Sequence, residues 1–135
     1  MDFSNTIGIS ADGMRVQSAR LRVAAENLAN KDTTGLTPGS DPYRRKTITF
    51  KETLNRETGV AGVKVQRIGQ DNSAFETKYD PSNPVADAKG YVKTPNVSTM
   101  IEIMDTHEAQ HSYEANLNTM QITRSMMTRT INLMK

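Results

Sequence analysis

Apolar residues recur in alternating steps of four and three at both ends of the chain and lose that rhythm in between. Ile7, Ala11, Met14, Ser18, Leu21, Ala25 and Leu28 keep the beat near the start, and Tyr113, Leu117, Met120, Arg124, Met127, Ile131 and Met134 keep it near the finish. This spacing holds one helical seam towards a partner, so the apolar members are the candidate packing residues. Other apolar residues fall off the seams: Ile9, Val16 and Val23 opposite the first, Ala115 and Ile122 opposite the second, with Met126 and Leu133 to one side. A lone pair of helices would leave those faces wet, and the pattern therefore predicts neighbouring copies or partner subunits.

The first helix is expected to start after Ser4 or Asn5 and to run to about Asn30, where Asp32-Thr33-Thr34-Gly35 turns the chain. From Gly35 to Tyr43 glycine and proline are too dense for regular structure. Lys46 to Phe50 alternates with Ile48 and Phe50 on one side, and Val63-Lys64-Val65 does the same, which predicts a hairpin closing at Thr58-Gly59. Phe75 to Tyr79 offers a third short strand, after which Pro81, Pro84, Gly90 and Pro95 exclude a helix. Thr99-Met100-Ile101-Glu102 has the form of a capping box and opens a second helix reaching Lys135. Its seam is clean only after Tyr113, because Thr106 and Gln110 hold the earlier seam positions, so its first third faces different surroundings. The expected fold is mainly α: long N- and C-terminal helices packed as a coiled-coil-like pair, with a small β-hairpin element and extended loop arms between them. The corresponding segments are 1–34, 35–98 and 99–135.

Composition sharpens the need for partners. Hydrophobic residues make up 36% of 135 positions and aromatic ones 5%, thin provision for a self-sufficient core, and eight methionines supply adaptable filling in their place. A net charge of +2 does not call for a polyanion. No acidic residue follows Glu114, and Arg124, Arg129 and Lys135 read as cations favoured near a helix C-terminus, not as a nucleic-acid footprint. Arg44-Arg45-Lys46 reads either as a solvated loop or as a specific anionic contact. The chain has no cysteine, so disulfides and thiolate metal sites are excluded. Its first residues lack a basic and then apolar signal pattern, and no run approaches a membrane span, so neither Sec-type secretion nor membrane embedding is expected.

One motif tempts towards catalysis. His107-Glu108-Ala109-Gln110-His111 matches His-Glu-x-x-His, in which two imidazoles four apart hold zinc and the glutamate acts as general base. A catalytic zinc needs a third protein ligand, and beyond His111 the sequence offers only Glu114, on the same helix. There is no phosphate-binding glycine loop and no nucleophile elbow. The reading is no catalytic residue, no metal site, no cofactor and no small-molecule substrate. A zinc metallopeptidase and a free-standing helical adaptor are the competing readings; the first predicts a substrate cleft, the second a monomer that unfolds cooperatively.

The residues at the inner ends of the two helices resemble the signatures of bacterial flagellar rod and hook proteins. Ser18 to Thr33, centred on Asn27-Leu28-Ala29-Asn30, is similar to the N-terminal signature, and Tyr113-Glu114-Ala115-Asn116 to the C-terminal one. Pro42 to Lys46, Tyr79-Asp80-Pro81, Asn83-Pro84, Ala86-Asp87-Ala88, Gly90-Tyr91-Val92 and Pro95-Asn96-Val97 resemble the short proximal-rod members; Asn83, Lys89 and the stretch from His107 to His111 depart from them. The resemblance implies a structural subunit of the basal body that packs with copies of itself and other rod subunits, transmits torque, and leaves the cytoplasm unfolded through the flagellar type III export apparatus. It also implies close helix approach at Ala11, Ser18 and Ala25, and helix-end hydrogen bonding by Asn27 and Asn30. The arm from Gly35 to Phe50 would then wrap an adjacent subunit, and Phe50 with Leu54 would form an export-recognition pattern. Termini that are partly disordered in the dilute monomer and become helical on incorporation are the corresponding expectation for folding.

Overall fold

The computed structural model describes residues 3–56 and 59–134. Two long helices enclose two small antiparallel sheets in the chain. Helix α1 spans Phe3–Ala29, strands β1 and β2 span Lys46–Leu54 and Ala61–Gln70, β3 and β4 span Glu76–Tyr79 and Tyr91–Thr94, and α2 spans Thr99–Leu133. The fold is mainly helical. Lys135 and Thr58, the expected helix end and hairpin closure, lie outside the described residues.

The β1–β2 hairpin is longer than alternation alone suggests. Its register runs from Lys46 opposite Gln70 to Leu54 opposite Ala61, with an irregularity between Thr49 and Phe50. Such a bulge bends the strand and re-aims side chains; Ile48 and Phe50 share a hollow with Val23 and Ala24 of α1. The third expected strand exists and has a partner that the sequence reading missed. β3 pairs antiparallel with β4 from Glu76 opposite Thr94 to Tyr79 opposite Tyr91, and the two tyrosine rings meet edge to face at 5.3 Å. Gly90 makes this turn possible: its φ is +83°, and a Cβ there would lie 2.9 Å from the Tyr79 ring. The Asp87 carboxylate accepts the backbone N–H of Tyr91 at 2.9 Å and of Lys89 at 2.8 Å. These bonds, led by that from Tyr91, hold its pKa below the ordinary value.

The second helix begins differently from its capping-box reading. Ser98 occupies the N-cap with no side-chain capping bond, and Thr99 is already helical. The Glu102 carboxylate does not turn back to the helix end because Arg45 and Asn27 hold it from below.

α1 and α2 run antiparallel. Asn27 meets Glu102, Arg20 meets Asp105 and Glu108, and Gly13 meets Asn116, so contacts descend one helix as they climb the other. Among the described elements α2 packs against α1 alone, whereas the β1–β2 hairpin leans on α1 from another side. At 27 and 35 residues, α1 and α2 are roughly 40 and 52 Å long. Continuing the same one-for-one register from Gly13 and Asn116 sets Phe3 beside Met126, so roughly two turns of α2 run past the described start of α1.

Candidate assembly surface and the polar clasp that shapes it

The closed end of the helix pair is built from polar side chains. Asn27 is 1% exposed. Its Nδ2 donates to the Lys46 carbonyl oxygen at 2.9 Å and to Glu102 Oε2 at 3.1 Å, while its Oδ1 accepts the Lys46 N–H and the Tyr43 hydroxyl, both at 2.8 Å. Two donor hydrogens and two acceptor positions are an amide's full capacity, so this buried group is completely satisfied. Burial raises the pKa of the Tyr43 phenol.

Glu102, also 1% exposed, receives Arg45 Nε at 2.5 Å. Arg45 lies 3.6 Å from Asp105 and 3.8 Å from Asp71 as well, and its own N–H is accepted by Asn96 Oδ1 at 2.9 Å. Asn96 Nδ2 in turn donates to the Asp71 and Ser73 carbonyl oxygens and to Ser73 Oγ. On the other flank Arg20 donates to Asp105 at 2.8 Å and Glu108 at 3.1 Å. Partial burial works against its charge, but these two bonds outweigh that and raise its pKa. Lys46 donates to Glu26 at 2.8 Å, which raises the ammonium pKa and lowers that of the carboxyl. The backbone N–H of Ser73 lowers Asp71. Arg44 stacks 4.2 Å above the Phe75 ring. The basic triplet is therefore an internal clasp joining the end of α1, the root of the β1–β2 hairpin, the segment after β2 and the start of α2.

This clasp corrects the reading of the arm. Pro42 is buried and residues 43–46 are tied to the helices of their own chain, so the second half of the segment from Gly35 to Phe50 belongs to this subunit. The part before Pro42 is held more loosely, by Lys93 donating to the Gly39 carbonyl oxygen and to Asp41, and its Leu36 is 97% exposed. The family-motif asparagines separate as well. Asn27 is the hub, Asn30 Nδ2 donates to its own helix at the Glu26 carbonyl oxygen, and Asn116 Nδ2 donates to the Ser112 carbonyl oxygen.

Beyond the clasp the helices meet through small and polar residues. A Cβ on Gly13 would stand 2.9 Å from the Asn116 side-chain amide, so the helices come close at this glycine. The inward line on α2 is Glu102, Ala109, Asn116 and Thr123, in steps of seven; the first, second and last are buried. On α1 the buried residues are Ser10, Val16, Val23, Ala24 and Asn27.

The candidate packing residues lie around these lines. Ile7, Ala11, Met14, Leu21, Leu28, Tyr113 and Met120 are half-buried, whereas Ala25, Leu117, Met127, Ile131 and Met134 are exposed, as are Ser18 and Arg124 between them. Val16 and Val23, from the set off the seam, are fully buried in the monomer. The face of α2 that packs on α1 continues past it carrying Met127, Ile131 and Met134. A second exposed stripe runs along the opposite side through Met100, Met104, Ala115, Ile122, Met126 and Leu133. Phe50 is half-buried and Leu54 exposed. His107 and His111 are exposed, and no group of three His, Cys, Asp or Glu side chains suited to a metal occurs among the described residues. No helix of the described chain is long and apolar enough to cross a membrane.

Two exposed apolar faces beside a thin core suit self-association, and comparison with known proteins gives the family. A flagellar basal-body rod protein FlgC of Agrobacterium fabrum is 50% identical over 127 residues, which cover 94% of this chain and 91% of the relative. The chain belongs to the FlgC family of flagellar basal-body rod proteins. FlgC of Salmonella typhimurium is 40% identical over 134 residues, 98% of both chains, and FlgC of Bacillus subtilis is 36% identical over 146 aligned positions, 97% of both. Residues 88–133 also match a family model described as the C-terminal part of flagellar basal body rod FlgEFG proteins. That match starts just before β4 and covers the whole of α2, so the matched segment includes Asn96, which lies between the two, and Glu102.

Proposed function

We propose that this structural subunit of the flagellar basal-body rod works as a rigid helix pair, coiled-coil-like in its packing, that joins copies of itself and other rod proteins side by side and transmits torque through them. One observation carries the reading. The chain exposes 9435 Å² of surface, whereas a compact monomer of 15.0 kDa would expose about 7,000 Å². The excess, roughly a third, is of the size that several protein interfaces bury, since a standard one takes about 800 Å² from each partner. Contacts between α1 and α2 at seven-residue intervals support the coiled-coil-like geometry. The turns of α2 that run past the described start of α1, with Met127, Ile131 and Met134, and the stripe through Met104, Ile122 and Met126 supply different faces for different neighbours, as head-to-tail assembly in a tube requires. Catalysis has no part in this proposal.

Export through the flagellar type III apparatus, with final residence in the cell envelope, completes the reading. Phe50 is half-buried beside α1 in the folded subunit while Leu54 faces outward, so the pair becomes fully accessible in an unfolded chain, the state such export would handle.

The test is a charge placed on the turns of α2 past the described start of α1. Met127→Lys with Ile131→Lys leaves the isolated chain's melting temperature within about 2 °C, because both positions are exposed. The same variant fails to restore swimming to cells lacking this protein and is missing from their purified basal bodies. Normal swimming and normal incorporation would overturn the proposal.

A further inference from the structure

Within the His-Glu-Ala-Gln-His stretch, Ala109 packs inward and Glu108 meets Arg20, whereas the two histidines have no part in the clasp or in the packing lines. His107 and His111 lie within α2, which is continuous from Thr99 to Leu133, and both are exposed. Residues four apart on a helix stack on one face with Cβ atoms about 5–6 Å apart, a spacing from which two imidazoles reach one ion. Neither imidazole makes a hydrogen bond or ion pair with any described residue, so their ring nitrogens are free to coordinate. No described helix or strand packs over them, since α1 is the one that contacts α2 and it lies on the other side. Glu108, between the two, is engaged by Arg20 at 3.1 Å, and Arg20 is fixed in place by Asp105 at 2.8 Å. This guanidinium withdraws Glu108 from the general-base role that the motif would give it in a peptidase.

We propose that His107 and His111 form a two-imidazole chelate for a borderline divalent transition-metal ion of the zinc, nickel or copper class, held on the outer face of α2 with its remaining positions open to water. Imidazole nitrogen suits these ions, whereas magnesium and calcium demand oxygen ligands. Because both ligands sit on one continuous helix, the bound ion bridges successive turns and stabilises that stretch of α2 against unfolding. Glu114, one turn on and exposed, adds negative charge nearby without completing a three-ligand cluster.

Calorimetric titration of the full chain with zinc chloride or nickel chloride, in a buffer that does not chelate, tests this. Saturable binding is expected near neutral pH, weakened at least about tenfold in His107→Ala and in His111→Ala, a loss that even removal of an outer-shell partner can cause. Glu108→Gln should bind as the unaltered chain does. Magnesium should give no heat of binding. Circular dichroism of each variant checks that α2 persists, which the exposure of all three positions leads one to expect. Undiminished affinity in either histidine variant, or loss of binding in Glu108→Gln, would overturn the proposal.

Discussion

Asn27 offers the most direct test of how the fold is held. Replacing it with alanine removes four hydrogen bonds at once from a position that is 1% exposed. The consequences differ by partner. Glu102 keeps Arg45, and the half-buried Tyr43 hydroxyl can turn to water, but the N–H and C=O of Lys46 lose the partner they share at the root of β1. Stranding two backbone groups costs about 1–3 kcal/mol each, so with a small cavity Asn27→Ala should cost about 3–5 kcal/mol. For a chain of this size that is a fall of roughly 10 °C or more in Tm. Thermal unfolding followed by circular dichroism at 222 nm measures it. Asn27→Asp then separates hydrogen bonding from shape. It keeps the acceptor facing Lys46 and Tyr43, yet places a second carboxylate where Nδ2 now stands, 3.1 Å from Glu102 Oε2. Like charges at that distance favour uptake of a proton in the folded state. Folded-state proton affinity is thereby raised above the unfolded value, and the associated stability is present at low pH and lost as pH rises. Asn27→Asp should therefore be at least as unstable as Asn27→Ala near neutral pH and should recover towards it, or beyond, as pH falls to about 5. A Tm for Asn27→Ala within about 2 °C of the unaltered chain, or an aspartate variant more stable than the alanine one at neutral pH, would refute the reasoning.

Other expectations follow from the same geometry. Gly13→Ala should be tolerated, since the 2.9 Å approach is to the end of a side chain that can turn away and alanine favours the helix, whereas Gly13→Leu should separate the helices at a cost of about 1–3 kcal/mol in urea denaturation. Removing Arg45 leaves the buried Glu102 carboxylate without a cation and should cost about 3–5 kcal/mol, whereas removing Glu102 should cost less because Arg45 keeps Asp105 and Asp71; losses that simply add in the double-mutant cycle would contradict a coupled pair. Hydrogen bonds lower the carboxyl pKa values of Glu26, Asp71 and Asp87 from 4.5, 3.8 and 3.8. Their contribution is complete above those values and lost as pH falls through the lowered ones, so Tm should hold steady down to about pH 5 and decline below it; a Tm that rises on acidification from pH 5 would show the sign to be wrong.

The helices, the first hairpin and the third strand were legible because each depends on local pattern. Two terminal periodicities gave α1 and α2, and alternation at Ile48, Phe50, Val63 and Val65 gave the hairpin. β4 was hidden because Tyr91-Val92-Lys93-Thr94 is too short to show alternation by itself. The contact line between the helices was hidden for a better reason: it is not hydrophobic. Gly13, Arg20 and Asn27 face Glu102, Asp105, Glu108 and Asn116, so a search for apolar seams finds the faces beside that line. Two signals were present. A glycine inside a helix costs about 1 kcal/mol against alanine and so calls for a packing reason, and Glu102, Ala109, Asn116 and Thr123 repeat at seven without an apolar side chain larger than alanine. The clasp could not be read at all, because Asn27, Arg45, Asn96 and Glu102 come from distant segments and each resembles something ordinary alone: a helix-end amide, a loop cation, a turn residue, a cap.

That division of labour between polar and apolar residues bears on how such a subunit keeps its shape among many neighbours. An apolar seam alone specifies register weakly, because a shift by one helical turn puts similar side chains back into contact. Asn27, with every donor and acceptor assigned, and Gly13, which admits only the Asn116 side chain at its close approach, do not survive such a shift. Polar groups thus fix the helix pair and its attachment to the hairpin within the subunit, and the non-directional apolar residues remain free for contacts with other subunits. Methionines at 100, 104, 126, 127 and 134 suit the second task, since an unbranched thioether accommodates partners of different shape. The two ends of the pair differ in the same sense. The end at Asn27 is closed by directional bonds, and the end beyond Met126 runs past the described start of α1 carrying apolar side chains, so a force applied there reaches the hairpin through a junction whose geometry is set by hydrogen bonds. Weakening that junction while leaving every exposed methionine in place should therefore impair the assembled rod as severely as removing the contacts themselves.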